Sequence, residues 1–346
     1  MSTDRYLAVD GARALREGEP RLTEAAPGHV IVEISYTGVC GTDVHGYTDG
    51  HMLPPAVFGH EWTGTVAQLG DGVTGLHAGQ RVVGGVGPAC GQCAQCRAGH
   101  SRHCDTVFAE ANGVDADAPE HGAFSTRVHV SARRVVAVPE PLSDVEAALV
   151  EPTAVTFHAV RRVGAELGAT TVVLGAGPIG LLTAQNARRA GAGPMIVSEP
   201  TPARRAMARS LGFTEVVDPA DLRTALDDLT GGLGADVVYE CSGVPSLLQP
   251  AAELVRRGGT LALLGYPLEN SSVSYGDWQS RELTVIGSLA YNHEDFVGAM
   301  HAIAVGQLDV APLHTGTFEL SSLKDVLEEL DSGTSAHTKV LISPQQ

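Results

Sequence analysis

The sequence predicts an α/β fold in two domains, one of them a doubly wound parallel sheet. Three features carry that expectation: a length of 346 residues, a glycine-rich turn between a β-branched run and a helix, and further apolar runs that continue a βα alternation. A chain of this length with 43% apolar residues can fill two cores. In "ATTVVLGAGPIGLLTAQNARRAG", Thr171 to Leu174 reads as a strand and the helix that follows ends at Gly191. Between them Gly175, Gly177 and Gly180 form G-x-G-x-x-G, with Pro178 and Ile179 inside the motif. The first two glycines permit a tight turn and close approach to a pyrophosphate, and the third lets helix and strand pack. The helix N-terminus offers unpaired N–H groups to phosphates. Nineteen residues after Gly180, Glu199 ends a second strand, "PMIVSEP". A carboxylate there accepts hydrogen bonds from the adenosine ribose and repels a 2′-phosphate, which favours NAD over NADP. Arg204 and Arg205 are the counter-signal, because a guanidinium could meet that phosphate. "ADVVYECSG", "GTLALLGY" and "LTVIGSLAY" supply the remaining strands; Cys241, in the first of these, is assigned no role.

A net charge of −17 argues against a nucleic-acid surface. The beginning, "MSTDRYLAVDGARALREG", has neither a basic start nor an apolar run, and no stretch reaches the ~18 uninterrupted apolar residues of a membrane span. The expectation is a cytoplasmic protein with no membrane partner, in which clustered cysteines are more often metal ligands than disulfides.

Such a cluster exists. Cys90, Cys93, Cys96 and Cys104 follow C-x2-C-x2-C-x7-C in a segment with little apolar content to fold around. Four thiolates at these spacings can close a tetrahedral zinc and leave no open position, which reads as a structural site. Four free thiols and an iron–sulfur cluster are the alternatives. A second constellation has the ligand types of a catalytic zinc: Cys40 in "GVCGTDVHGY", His60 and Glu61 in "FGHEWTG", and Glu151 in "LVEPTAV". One thiolate, one imidazole and one carboxylate leave a fourth position for water or a substrate oxygen.

Cys40, Thr42, Asp43, His45, the Gly-His-Glu at 59 to 61 and the Glu-Pro at 151 and 152 occur in the order seen in zinc-containing medium-chain dehydrogenases. From roughly residue 28 to 342 the chain resembles that family, whose four-cysteine lobe binds a structural zinc. "IGSLAYNHEDF" and "HTKVLISP" are most similar to the butanediol branch, near threonine and sorbitol dehydrogenases.

The resemblance implies two zinc ions per chain. Cys40, His60 and Glu61 would ligate the catalytic one, with Glu151 close enough to bind directly or through water. It implies that Asp43 fixes the free ring nitrogen of His60, and that Thr42 and His45 relay the alcohol proton to the surface, where an ordinary histidine titrates at about 6.5. Trp62 and Tyr291 would line the substrate pocket. The arginine that precedes this tyrosine position in sorbitol dehydrogenases is Ala290 here, which weakens a polyol reading. The implied architecture is a GroES-like, mainly-β catalytic domain (1–153 and 290–346, cysteine lobe 88–105) around a Rossmann NAD-binding domain (154–289), with zinc and nicotinamide in the cleft. The stretch 113–128 is expected to be a loop leading back into catalytic-domain strands. The implied activity is hydride transfer between NAD and a secondary alcohol or ketone, a vicinal diol such as 2,3-butanediol, in a homodimer or homotetramer. The alternatives are a cyclitol or aminocyclitol dehydrogenase, a threonine or sorbitol dehydrogenase-like enzyme, and a nucleotide-binding relative without catalysis.

Overall fold

A computed structural model describes residues 4–20, 23–50, 58–111 and 122–346. Residues 113–121 of the expected loop lie outside the described residues. The chain divides into two compact units, Met1–Glu151 with Tyr291–Ala304 and His314–Gln346, and Pro152–Ala290 with Val305–Leu313.

The first unit is mainly β. A hairpin of β1 (Tyr6–Val9) and β2 (Leu15–Gly18) precedes β3 (His29–Gly38), β4 (Glu61–Leu69), β5 (Arg81–Gly84), β6 (Arg127–Ser131) and β7 (Val135–Ala137). The late strands β14 (His314–Glu319) and β15 (Lys339–Ser343) complete a seven-stranded sheet in the order β14-β15-β3-β4-β5-β7, with β6 also on β3. Alternation in β3 buries Val30, Val32 and Ile34 against Val66, Val82, Val128 and Val130. Two registers matter below: Gly38 of β3 stands opposite Glu61 of β4 and, on its other side, opposite Leu341 of β15.

The second unit is a six-stranded, wholly parallel sheet. Its strands β8 (Thr171–Leu174), β9 (Met195–Ser198), β10 (Glu215–Val217), β11 (Ala235–Glu240), β12 (Val255–Leu263) and β13 (Thr284–Gly287) lie in the order β10-β9-β8-β11-β12-β13. This is doubly wound topology, with its switch point beside β8. Uninterrupted apolar runs are what a sheet covered on both faces requires, and Val172, Ile196, Leu226, Val238 and Leu261 share one core. Val305–Leu313 groups with this unit because Gln185 binds the backbone of Asp309 twice, at 2.9 and 2.8 Å. No helix among the described residues is long and apolar enough to cross a membrane.

Candidate metal centres and dinucleotide site

The helix Gly41–Asp49 starts on Cys40, whose backbone is extended as an N-cap requires. Asp43, fully buried, accepts from Cys40 N at 2.9 Å and from Gly59 N at 3.0 Å. One carboxylate thereby ties together the two segments that carry Cys40 and His60. Its Oδ1 is 3.6 Å from His60 Nδ1, an electrostatic contact too long for the hydrogen bond the sequence implied. Burial works against a charged His60, yet Asp43, followed by Cys40, holds its imidazole well above the usual range. Gly59 adopts φ +66°, and a Cβ there would meet the Phe124 backbone at 2.7 Å, so glycine is required before the histidine.

The ligand atoms of Cys40, His60 and Glu61 all lie within 4.8 Å of one another. That spacing, with one sulfur, one nitrogen and one oxygen donor, fits zinc at its usual ligand distances of about 2.0–2.3 Å. Glu61 reaches the site through a gap in its neighbour: a Cβ on Gly38 would lie 2.1 Å from Glu61 Oε2. Glu151 and Tyr291 stand at the same site. Burial, opposed by His60 and reinforced by Glu61, pushes the Glu151 carboxyl up to about 7, and the Tyr291 hydroxyl donates to it. Tyr291 also stacks on Phe296 at 5.4 Å, directly after Ala290 in a left-handed conformation, φ +51°.

Lys339 was not singled out in the sequence and belongs here. Its Nζ forms an ion pair with Glu61 Oε2 and donates to the Val39 carbonyl at 3.0 Å, and both side chains of the pair are 2% exposed. Burial alone would lower the ammonium; Glu61 and then Cys40 hold it above the ordinary lysine range.

Thr42 and His45 lie one turn apart on the helix Gly41–Asp49, hence on one face. His45 is half-buried, its Nδ1 has no hydrogen-bond partner among the described residues, and burial lowers its pKa against the opposing field of Asp331. Trp62 corrects an expectation. Strand alternation turns it away from Glu61 and into the core with Val30, Val66 and Val82, and its indole lies where a Cβ on Gly84 would sit, at 2.0 Å. It is a packing residue.

In the cysteine lobe the four Sγ atoms of Cys90, Cys93, Cys96 and Cys104 converge within 4.8 Å. Backbone N–H groups point at sulfur: Cys93 N to Cys90 Sγ at 3.3 Å, Cys96 N to Cys93 Sγ at 3.4 Å, and Cys90 N to Cys104 Sγ at 3.3 Å. Such donors stabilise thiolates, so the lobe fits a closed four-sulfur metal site. Without a metal the thiols differ widely. The Thr106 hydroxyl and backbone N–H groups bring Cys90 down to about 6, whereas burial and the neighbouring thiols push Cys96 up to about 12.

In the second unit Gly175 has φ +96°, and a Cβ on Gly180 would stand 1.9 Å from the Gly175 carbonyl oxygen. A Cβ on Gly177, the N-cap of the helix Pro178–Arg189, would meet nothing within 4 Å, which leaves the room a pyrophosphate needs there. Ile179 lies within the same first turn. Glu199 is buried at the end of β9, with Oε2 accepting from Ala176 N of the glycine turn at 2.8 Å and Oε1 from Thr201 N at 2.9 Å. Arg205 is engaged by the Glu199 and Pro200 carbonyls and by Asp218. Arg204, by contrast, has a buried Nε without a hydrogen-bond partner among the described residues. The cradle fits a dinucleotide, with Glu199 beside the glycine turn and one arginine uncommitted.

Comparison with known proteins agrees with both units. Residues 26–140 match the family described as "Alcohol dehydrogenase GroES-like domain", and residues 178–305 match "Zinc-binding dehydrogenase". The chain is 35% identical to 2-dehydro-3-deoxy-L-galactonate 5-dehydrogenase of Pseudoalteromonas atlantica over 91% of each chain. It is 31% identical to sorbitol dehydrogenase of Bacillus subtilis, over 92% of this chain and 90% of that one. A zinc-binding dehydrogenase of Sinorhizobium meliloti, solved with NADP, superposes with a TM-score of 0.86 at 29% identity, covering 99% of this chain and 100% of the other.

Proposed function

Because the chain belongs to the zinc-dependent alcohol dehydrogenase family, whose members act on CH–OH donors, we propose that it oxidises one secondary hydroxyl of a polyol, a sugar acid or a vicinal diol such as 2,3-butanediol, with NAD as the hydride acceptor. The observation that carries this reading is the convergence of Cys40, His60 and Glu61 beside a separate, closed cluster of four thiols. The first set would hold a catalytic zinc and the second a structural one. When bound, zinc polarises the alcohol oxygen as a Lewis acid and the nicotinamide takes the hydride from carbon.

The residues handle the proton and the fit. Oxidation releases a proton from the alcohol oxygen, and the Thr42 hydroxyl is the group in this helix that takes it up first. His45, one turn on with an Nδ1 unpartnered among the described residues, is the next acceptor and passes the proton to water. Asp43 orients His60 and Cys40 through the backbone it ties down. Glu151, which accepts from the Tyr291 hydroxyl, stands where it can also accept a hydrogen bond from a neighbouring hydroxyl of the substrate. Relatives that carry "sorbitol" and a deoxy-galactonate in their names act on molecules with adjacent hydroxyls, which supports the polyol and sugar-acid class. Glu199 supports NAD, since a 2′-phosphate would approach its buried carboxylate.

A second copy of the chain is the proposed partner. The strand β13 is a sheet edge, and Tyr266, Leu268, Val273, Tyr275, Val285 and Leu289 are exposed on or near it in sequence. An unpaired apolar edge is self-complementary: two copies related by a two-fold axis pair it antiparallel. Val285→Lys should then yield monomers by light scattering at concentrations where the parent chain is a dimer; an unchanged mass removes β13 from the interface.

The function is tested by following near-ultraviolet absorbance of the reduced nicotinamide with zinc-loaded enzyme across hexitols, sugar acids, 2,3-butanediol, threonine and aminocyclitols. Turnover on the first three classes supports the proposal. Turnover confined to threonine or to an aminocyclitol replaces the substrate class.

A further inference from the structure

The hairpin turn between β1 and β2 is seated on the end of the helix Gly41–Asp49: a Cβ on Gly50, the residue that caps this helix, would meet Ala12 N at 2.2 Å. Arg13 is locked there through both of its backbone groups. Its N–H donates to the Tyr47 carbonyl at 2.7 Å, and its carbonyl shares the Tyr47 hydroxyl proton, at 3.1 Å, with Glu328 Oε1 at 3.0 Å. In this grip Arg13 takes φ +57°, a left-handed conformation that a residue with a side chain adopts only under constraint. Its guanidinium then reaches Asp331, the last residue of the helix Leu323–Asp331, at 2.5 Å. Val44 and Tyr47 share a core with Leu323, Val326 and Leu327, so the two helices are packed together and His45 lies on one of them. Arg13 and Asp331 are 54% and 30% exposed, and exposed ion pairs contribute little to stability. The strength of the pair does not account for the strain at Arg13.

The charges around His45 come from several elements. On its own helix stand Asp43, bonded to the Cys40 and Gly59 backbones, and Asp49. The facing helix brings Lys324, Asp325, Glu328, Glu329 and Asp331, of which Glu329 accepts from Ser335. The hairpin brings Asp10, Arg13, Arg16 and Glu17. From the strands of the same core come His314, Glu319 and the Lys339 paired with Glu61, and Phe58 leads into His60 and Glu61. Among the described residues, Asp331 is the one whose charge acts on His45.

We propose that the Arg13–Asp331 pair governs how tightly His45 holds a proton, with Asp331 as a positioning carboxylate that keeps the proton on the imidazole and Arg13 as the cation that tempers it. Burial disfavours the imidazolium, and the Asp331 charge opposes that effect. A base that takes up a proton and then releases it works best with a pKa near the operating pH, and the pair draws His45 back toward that range. The effect on turnover rests on His45 serving the alcohol proton as proposed above; the effect on the imidazole does not.

The test follows the ring-proton shifts of His45 against pH in zinc-loaded protein, with the signal assigned by its loss in His45→Gln. Asp331→Asn should lower the His45 midpoint by about half a pH unit and Arg13→Gln should raise it by a similar amount, the size of one charge screened by water. Arg13→Lys, which keeps the charge, should return the midpoint to that of the parent. The first two substitutions break the same ion pair, so a merely structural role would move both midpoints the same way. The acid limb of the kcat profile, where a relay histidine becomes protonated, should follow, to lower pH in Asp331→Asn and to higher pH in Arg13→Gln. Midpoints that move in one direction, or not at all, overturn the proposal. Opposite midpoints with an unmoved acid limb uphold the pair and remove His45 from the proton path.

Discussion

Lys339 Nζ is paired with Glu61 Oε2 in a position where both side chains are 2% exposed. Glu61, one of the three residues placed to hold a metal, therefore has a built-in cation competing for one of its oxygens. A metal that binds here must share the carboxylate, and a chain without metal keeps it neutralised. Removing one partner of a buried ion pair costs about 3–5 kcal/mol, because the other charge is left uncompensated. Lys339→Met should lower the melting temperature of zinc-stripped protein, and saturating zinc should raise it by more than in the parent, since the metal then replaces the missing cation. Scanning fluorimetry with and without zinc checks this. Equal zinc-induced shifts in the two proteins would show that the pair is inert toward the metal.

Glu151 gives a pH signature of unusual sign. Its folded-state pKa of about 7 stands above the ordinary 4.5, chiefly through burial, so the folded chain binds the proton more tightly than the unfolded one. Stability from this group is fully present below about pH 4.5 and is lost as pH rises toward 7, by at most about 3 kcal/mol. Denaturant titrations of zinc-free Glu151→Gln should show the variant gaining on the parent across that window. Parallel curves would mean that Glu151 titrates normally.

The glycines of the turn separate fold from binding. Gly180→Ala places its Cβ 1.9 Å from the Gly175 carbonyl oxygen and should destabilise by about 1–3 kcal/mol. Gly177→Ala meets nothing within 4 Å, so its melting temperature should hold while the KM for the cofactor rises. A Gly177→Ala enzyme with unchanged cofactor KM would place the pyrophosphate elsewhere.

Glu199→Ala should narrow the ratio of kcat/KM for NAD over NADP, because the carboxylate that opposes a 2′-phosphate is gone while Arg204 remains. Adding Arg204→Ala should restore discrimination against NADP. A ratio indifferent to both changes would detach these residues from cofactor choice.

Local pattern made much of this molecule legible. The glycine turn and its flanking strands are contiguous in sequence, and so are the four cysteines, so each motif carries its own geometry. Trp62 was misread although the means to place it were present: a residue after an inward-facing Glu61 on a strand points the other way. Asp43 lies beside His60, but its hydrogen bonds go to backbone N–H groups, which no residue type signals. Lys339 was invisible for a different reason. A single lysine in a C-terminal strand looks like an edge or surface residue, and only the β15-β3-β4 register brings it beside Glu61, nearly 280 positions earlier. Gly38 belongs with it, since its missing side chain is where Glu61 lies.

The cysteine lobe carries a consequence of its own. Its segment has no apolar core, and its thiols are unequal, with Cys90 near 6 and Cys96 near 12, while Cys93 Sγ stands 3.9 Å from Cys104 Sγ. With no metal bound there, the chain would hold a ready nucleophile beside ready partners, and air would stitch them together. Ageing in oxygen would then leave one lesion, a crosslinked lobe whose sulfurs can no longer close on a metal.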